Sequence, residues 1–443
     1  METPICDFVR RYGDSQTLRA HMPGHKGVGL LGFEHLDITE IDGADSLYEA
    51  DGIIRRSEEN ASGLFGCPTF YSTEGSSQCI RAMLFLAMQD AKRQGRTPKI
   101  AAARNVHKTF LSGAALLDLD VVWLYPQKEG SYLSCPLDVA ALGAFLERER
   151  PTAVYVTSPD YLGHVANIEK LAAVCHAHDA LLLVDNAHGA YLRFLESSRH
   201  PMDLGADLCC DSAHKTLPVV TGGAYLHVKE RFAGQAKNAL TLFGSTSPSY
   251  LILQSLDGAN AYLETHRERL STFLPQVEAL KARLMAVGYG LYGDEPLKIT
   301  IDAKGYGYTG AELSDLLRKR GIECEFADPD FLVLMLTPET GEQGMETIRD
   351  ALLSIPKKDA VAQVPPIFRA GERVLSIREA MFSVEETVPV AESEGRILAA
   401  ASVGCPPAVP ILVCGERIDA HAIRCFQYYG IDAATVVEEM HHE

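Results

Sequence analysis

Two short stretches, Asp185-Asn186-Ala187-His188 and Asp211-Ser212-Ala213-His214-Lys215-Thr216, carry side chains that could do chemistry together. A lysine offers an amine that can form a Schiff base, a carboxylate can hold a pyridine nitrogen protonated, and hydroxyl and imidazole groups can bind a phosphate. These are the groups that pyridoxal phosphate (PLP) requires, with Lys215 as the candidate amine. Taken alone, Lys215 also reads as a surface lysine following a buried strand, because lysine is seldom buried. A third stretch, Thr73-Glu74-Gly75-Ser76-Ser77, directly precedes an amphipathic run from Gln78 to Gln89. Small hydroxyl residues and a glycine at a helix start present free N–H groups and the positive end of the helix dipole, a cradle for phosphate. Plain N-capping by Ser76 or Ser77 explains the same residues.

The elements that must position these groups follow from periodicity. Short apolar runs at Lys99–Ala103, Val121–Leu124, Ala153–Thr157, Leu181–Val184 and Ala206–Asp211 alternate with helical patterns at His107–Leu117, Leu137–Glu149 and Ile168–His178. That alternation predicts an α/β domain with a largely parallel sheet, in which ligands gather outside the carboxyl ends of the strands. Arg104-Asn105-Val106-His107, Ser158-Pro159, Asp185 to His188 and Ser212 to Lys215 all fall at such ends. Ala224–Val228 is expected as an antiparallel member, and Gly244 to Ser249 as a hydroxyl-rich turn opening a helix from Tyr250. After Gly288 the pattern changes to mixed strands and helices, the mark of a smaller α+β domain, and Pro356 to Pro366 reads as a linker. The expected divisions are an N-terminal segment (1–50), a large domain (51–290), a small domain (291–360) and a C-terminal region (361–443). Near the end, Cys405-Pro406-Pro407-Ala408-Val409-Pro410 and Cys414-Gly415-Glu416 suggest a fixed loop-strand-loop that delivers Glu416 to a pocket; a solvated turn carboxylate is the alternative.

Composition bounds the function. At 443 residues the chain exceeds the roughly 250–300 at which a single core stops growing, so more than one domain is expected. With 41 Lys and Arg against 59 Asp and Glu, the net charge of −18 argues against nucleic acid or an anionic membrane as partner and tolerates a cationic substrate. Eleven cysteines without a C-x-x-C pair read as reduced thiols, with no metal site expected. His21 and His25 have metal-pair spacing, but Pro23 and Gly24 break the helix that this would need. Met1 to Ala20 has no apolar core of a signal peptide, and no stretch is apolar enough to span a membrane, so a cytoplasmic location is expected.

The constellation resembles the Orn/Lys/Arg decarboxylase family of PLP-dependent, fold type I enzymes. His21 to Gly27 matches its HMPGHKG stretch and Asp37 to Leu47 its DITE-x-x-G-x-D-x-L segment. Arg104 to Lys108 matches RNxHK, Asp185 to Gly189 DxAHG, and Ser212 to Pro218 SxHKTLP, all in the family's order. The chain opens almost directly on the HMPGHKG stretch and so resembles the short form. The resemblance implies an aspartate aminotransferase-like large domain with a mostly parallel seven-stranded sheet and a smaller α+β C-terminal domain. It implies that Lys215 holds the cofactor covalently, Asp185 pairs with the pyridine nitrogen, His107 stacks on the ring, and Ala187 is the small residue beneath it. His188 would neighbour the ring oxygen or the substrate carboxylate. Ser212, His214 and the backbone of Gly75, Ser76 and Ser77 would hold the phosphate. Ser245 or Thr246 would reach a phosphate in the neighbouring subunit, hence a homodimer with shared sites or a higher oligomer. The substrate would be a basic amino acid, arginine (to agmatine) or lysine (to cadaverine), feeding polyamine metabolism, with Glu416 receiving its distal cation.

Two departures stand out. Glu74 replaces the neutral amide of the family's Asn-Gly-(Ser/Thr) cradle, placing a carboxylate near a phosphate unless it points away. The family's Tyr-Pro-Pro-Gly-(Ile/Val)-Pro and Pro-Gly-Glu become Cys405 to Pro410 and Cys414 to Glu416, which bears on substrate placement. A PLP aminotransferase, another fold type I lyase, or a degenerate homologue that binds PLP without turnover would share Lys215 and Asp185, and stay open at this stage.

Overall fold

Short β-branched and aliphatic runs become strands wherever both faces are covered, and the computed structural model, which describes residues 1–126, 131–400 and 409–439, shows seven of them in the large sheet. They are β1 (Thr69–Ser72), β2 (Lys99–Ala103), β3 (Asp120–Leu124), β4 (Ala153–Thr157), β5 (Leu181–Asp185), β6 (Leu208–Asp211) and β7 (Ala224–Val228). The chain divides into two compact units, one made of residues 1–96 and 168–271, the other of 97–167 and 272–443.

The first unit contributes four strands in the order β1-β7-β6-β5. β5 and β6 run parallel, with Asp185 beside Cys210, while β7 is antiparallel to both β6 and β1. Every residue of β5, β6 and β7 is buried, which is why these strands read as continuous apolar runs rather than alternating ones. By these directions the carboxyl ends of β1, β5 and β6 and the amino end of β7 all lie at one edge of the unit. β1 is absent from the periodicity reading, since four residues between Pro68 and a polar turn are too few to show a period.

The second unit contributes β4-β2-β3, all parallel, so Arg104 to His107 and Ser158-Pro159 leave from the same edge. It also holds an antiparallel sheet of β8 (Gly290–Tyr292), β9 (Lys298–Asp302), β10 (Phe326–Ala327) and β11 (Phe331–Met335), in the order β10-β11-β9-β8. Two two-stranded ladders follow: β12 (Glu372–Arg373) with β14 (Glu416–Arg417), and β13 (Glu385–Pro389) with β15 (Ala433–Val437). Phe331 and Val333 share a core with Leu398, Ile418, Phe426 and Val436, so the segment after the proline-rich stretch packs on the antiparallel sheet. No helix among the described residues is long and apolar enough to cross a membrane.

Buried polar groups tie distant segments of the first unit together. The helix Pro4–Gly13 starts with its first-turn N–H groups pointing inward, and Asp257, wholly buried on the helix Tyr250–Leu263, accepts from Ile5 N at 3.0 Å and Cys6 N at 2.9 Å. Its second oxygen accepts from Ser57 Oγ. Burial pushes the Asp257 carboxyl up, and the hydrogen bonds oppose that shift. Asp257→Ala takes this acceptor from three buried donors, the Ile5 and Cys6 amides and the Ser57 hydroxyl, and is expected to destabilise the protein by about 2–4 kcal/mol. Asp257→Asn keeps an oxygen for the helix and is expected to lose much less. Urea denaturation of the two variants checks this; equal losses would contradict it.

Candidate active site

At the shared edge of the first unit, three turns carry most of the candidate residues. The first follows β1. Ser72 Oγ donates to Gln78 Oε1 at 2.6 Å, lies 3.0 Å from Gly75 O, and accepts from Glu74 N at 3.1 Å, which closes the chain tightly before the helix Gly75–Arg93. Gly75 sits at φ +71°, a left-handed backbone that other residues adopt only with strain. Its N–H donates to Gly222 O at 2.7 Å, so this one amide of the expected cradle already has a protein acceptor. Ser76 and Ser77, in the first helical turn, supply the amides that an anion would meet.

The second turn follows β6. Ser212 Oγ donates to Ser76 Oγ at 2.7 Å, joining the hydroxyls of two turns that are far apart in sequence. His214 Nδ1 donates to Gly223 O at 2.9 Å, which fixes the ring through a backbone carbonyl. Lys215 is half-buried on the short helix Ala213–Thr216, and its Nζ lies 2.9 Å from His188 Nε2. The third turn follows β5. Asp185 is buried at 2% exposure, and its Oδ1 accepts from Ala187 N at 3.2 Å and from the Cys210 thiol at 3.7 Å. The structure therefore brings Lys215 and His188 into contact, and Ser212 and Ser76 into contact, within one unit. This donor set fits PLP: an amine beside an imidazole, a buried carboxylate, and paired hydroxyls at a helix start.

Ser245 and Thr246 are exposed on the turn before the helix Tyr250–Leu263. Glu74 is exposed too, and its Oε1 accepts from Ser245 N. That contact ties the unexpected carboxylate to the Ser245 turn.

In the second unit, His107 caps the helix Lys108–Leu117: its Nδ1 accepts from Thr109 N at 3.2 Å, an N-cap role more often filled by Ser, Thr, Asp or Asn. Arg104 is 1% exposed. It donates to Pro410 O at 2.9 Å, to Ile411 O at 3.3 Å and to Glu416 Oε2 at 3.3 Å, and its guanidinium lies 5.3 Å from the ring centres of both Trp123 and Phe368. Glu416 is 3% exposed, and Oε2 also accepts from Val413 N at 2.8 Å. Glu416 is thus neither a solvated turn carboxylate nor a bare one, since one of its oxygens is held by Arg104. Cys405 to Ala408 lie outside the described residues.

Ser72, Arg104 as the partner of Glu416, and a buried cluster around Asp211 escape the sequence reading. Arg104 and Asp211 had a signal in their places at the ends of β2 and β6, but their partners did not. The Glu74 contact generates a direct test. Glu74→Gln keeps an acceptor for the Ser245 amide and removes a charge that opposes a phosphate by about 1 kcal/mol or less in partly solvated surroundings. Titration of apo-protein with PLP is expected to show severalfold tighter binding for the variant; unchanged or weaker binding would contradict a phosphate beside Glu74.

The family described as Orn/Lys/Arg decarboxylase, major domain, matches residues 3–286, and Orn/Lys/Arg decarboxylase, C-terminal domain, matches residues 374–436. An arginine decarboxylase of Halalkalibacterium halodurans is 30% identical, covering 94% of this chain and 91% of that protein. An arginine decarboxylase of Bacillus subtilis is 27% identical, covering 99% and 95% respectively. The crystal structure of the Francisella novicida lysine decarboxylase LdcF is similar in fold, with a TM-score of 0.81 at 16% identity over 98% of this chain and 81% of that one. Two domain models that together cover most of the sequence, over the fold expected of them, lead to one conclusion: the chain belongs to the Orn/Lys/Arg decarboxylase family.

Proposed function

We propose that this protein is a PLP-dependent decarboxylase of a basic L-amino acid, acting on L-arginine to give agmatine in preference to L-lysine to give cadaverine, as a supplier of polyamine precursors in the cytoplasm. The observation that carries the reading is the contact between Lys215 Nζ and His188 Nε2, on the turn that follows the buried Asp185, in a chain of this family. The preference for arginine is supported by full-length relatives named arginine decarboxylase.

PLP, when bound, supplies an electron sink for the electron pair left on Cα as CO2 departs. Asp185 would hold positive charge at the pyridine nitrogen, a charge-assisted contact strengthened by its dry surroundings. Ser76, Ser77, Ser212 and His214 would bind the phosphate, and His107, whose ring is fixed by the Thr109 amide, would cover the cofactor. Ala187, half-buried after Asp185, would be the small residue beneath the ring. Lys215 and His188 are the pair that can carry a proton to Cα. Glu416 would receive the distal guanidinium: Arg104 and the Val413 amide fix Oε2, so the carboxylate enters the encounter already oriented. Ser245 and Thr246, exposed in the single chain, would complete a neighbouring site in a homodimer.

The test is to supply PLP-loaded protein separately with L-arginine, L-lysine and L-ornithine and to measure CO2 and the amine formed. CO2 with agmatine, fastest from arginine, is the expected result. Release of an oxo acid without CO2, or no product from any of the three, would overturn the reading. Lys215→Ala is expected to lower turnover by at least about a thousandfold.

A further inference from the structure

The turns that present Asp185 and Lys215 are linked through a second carboxylate, that of Asp211. Asp211 ends β6, is fully buried, and accepts from four side chains: Asn186 Nδ2 at 2.6 Å and Cys209 Sγ at 3.9 Å on Oδ1, His200 Nε2 at 3.1 Å and His227 Nε2 at 3.0 Å on Oδ2. Phe65 packs on both imidazoles, with ring centres 5.6 Å and 4.6 Å away, and shields the cluster. Burial by itself would raise the Asp211 carboxyl, but the two imidazoles hold it well below the usual carboxylate range. His200, Cys209 and Asp211 have ligand atoms within 4.8 Å of one another, close enough for a metal. Hydrogen bonds account for the cluster instead: Met202 N donates to His200 Nδ1 at 3.4 Å, so the ring proton sits on Nε2 and points at Asp211.

Asn186 lies between Asp185 and Ala187, and its side chain folds back toward Asp211. Its N–H bonds Cys210 O at 3.0 Å, and its Oδ1 is buried without a hydrogen-bond partner, so the side-chain amide is held there by its donation to Asp211. Gly189 matches this arrangement, since a Cβ at that position would lie 2.0 Å from Asn186 Oδ1. Backbone bonds close the turn from 185 to 189, with Gly189 N donating to Asn186 O at 2.7 Å, and the Asn186 side chain adds its one tie to the Asp211 carboxylate.

We infer that Asp211 is a positioning residue: through Asn186 it fixes the turn that carries Asp185 and His188, while its own backbone leads into the turn that carries Lys215. The inference rests on the proposed roles of Asp185 and Lys215. Displacing a reacting group by about 1 Å can cost on the order of a hundredfold in rate, so loss of this tie should appear in turnover more than in substrate binding.

Asn186→Ala removes the side-chain tie while keeping the backbone bond to Cys210 O and the His200–Asp211–His227 cluster; Asp211→Asn sets an amide against imidazole donors. For Asn186→Ala the expected result is a kcat lowered by about ten- to a hundredfold, an almost unchanged KM, a weaker PLP dissociation constant by titration of apo-protein, and a melting temperature near that of the parent. Asp211→Asn is expected to show the same kcat loss with a larger drop in melting temperature. If Asp211→Asn does not fold, Asn186→Ala alone decides. An Asn186→Ala protein with parental kcat and PLP affinity overturns the inference. Lys215→Ala is assayed in parallel: if it remains active, the proposed function fails, whereas an inactive Lys215→Ala beside a parental Asn186→Ala defeats the positioning role alone.

Discussion

Parallel pairing of β5 with β6, in the register that sets Asp185 beside Cys210, is the constraint on which the site depends. Two adjacent strands pointing the same way must end at the same edge, so the segments that follow them, 185–188 and 211–215, leave the sheet as neighbours. The contact between Lys215 and His188 follows from that register, as does the reach of Asn186 to Asp211. A shift by one residue would turn Asp185 to the other face of the sheet, since side chains alternate along a strand. The register is protected by burial: each residue of both strands is enclosed, and a slip would push side chains into space packed for others and bury polar groups without partners.

The same rule of satisfying buried polar groups explains how the rest is held. Asp257 closes the start of the N-terminal helix, Ser72 builds the turn ahead of the helix Gly75–Arg93, and Arg104 fastens Pro410, Ile411 and Glu416 inside the second unit. A buried ion pair such as Arg104–Glu416 contributes little net stability, because desolvating both charges offsets their attraction. Its effect is orientation. Arg104 donates to two carbonyls and a carboxylate between two aromatic rings, so Glu416 has little freedom to rotate.

How much of this was legible in the sequence divides along physical lines. Lys99–Ala103 and Ala153–Thr157 were readable to the residue because a fully enclosed strand is a continuous apolar run, and the antiparallel Ala224–Val228 was anticipated. Lys215 and Asp185 stood out through their residue types at strand ends and through the family's motifs. The short β1 was invisible, since four residues show no period. Long-range pairs were invisible too: nothing local says that Asp211 meets His200 and His227, or that Glu416 meets Arg104 across more than 300 residues of sequence. Glu74 was legible as an anomaly, but its contact with the Ser245 amide depends on two loops meeting in space.

The central claim is that Lys215 is the residue that binds PLP covalently. Reducing PLP-loaded protein with borohydride makes any such linkage permanent, and peptide mass mapping then locates it. The account predicts a single pyridoxyl-modified peptide carrying the label on Lys215. A label on another lysine, with Lys215 unmodified, would contradict it.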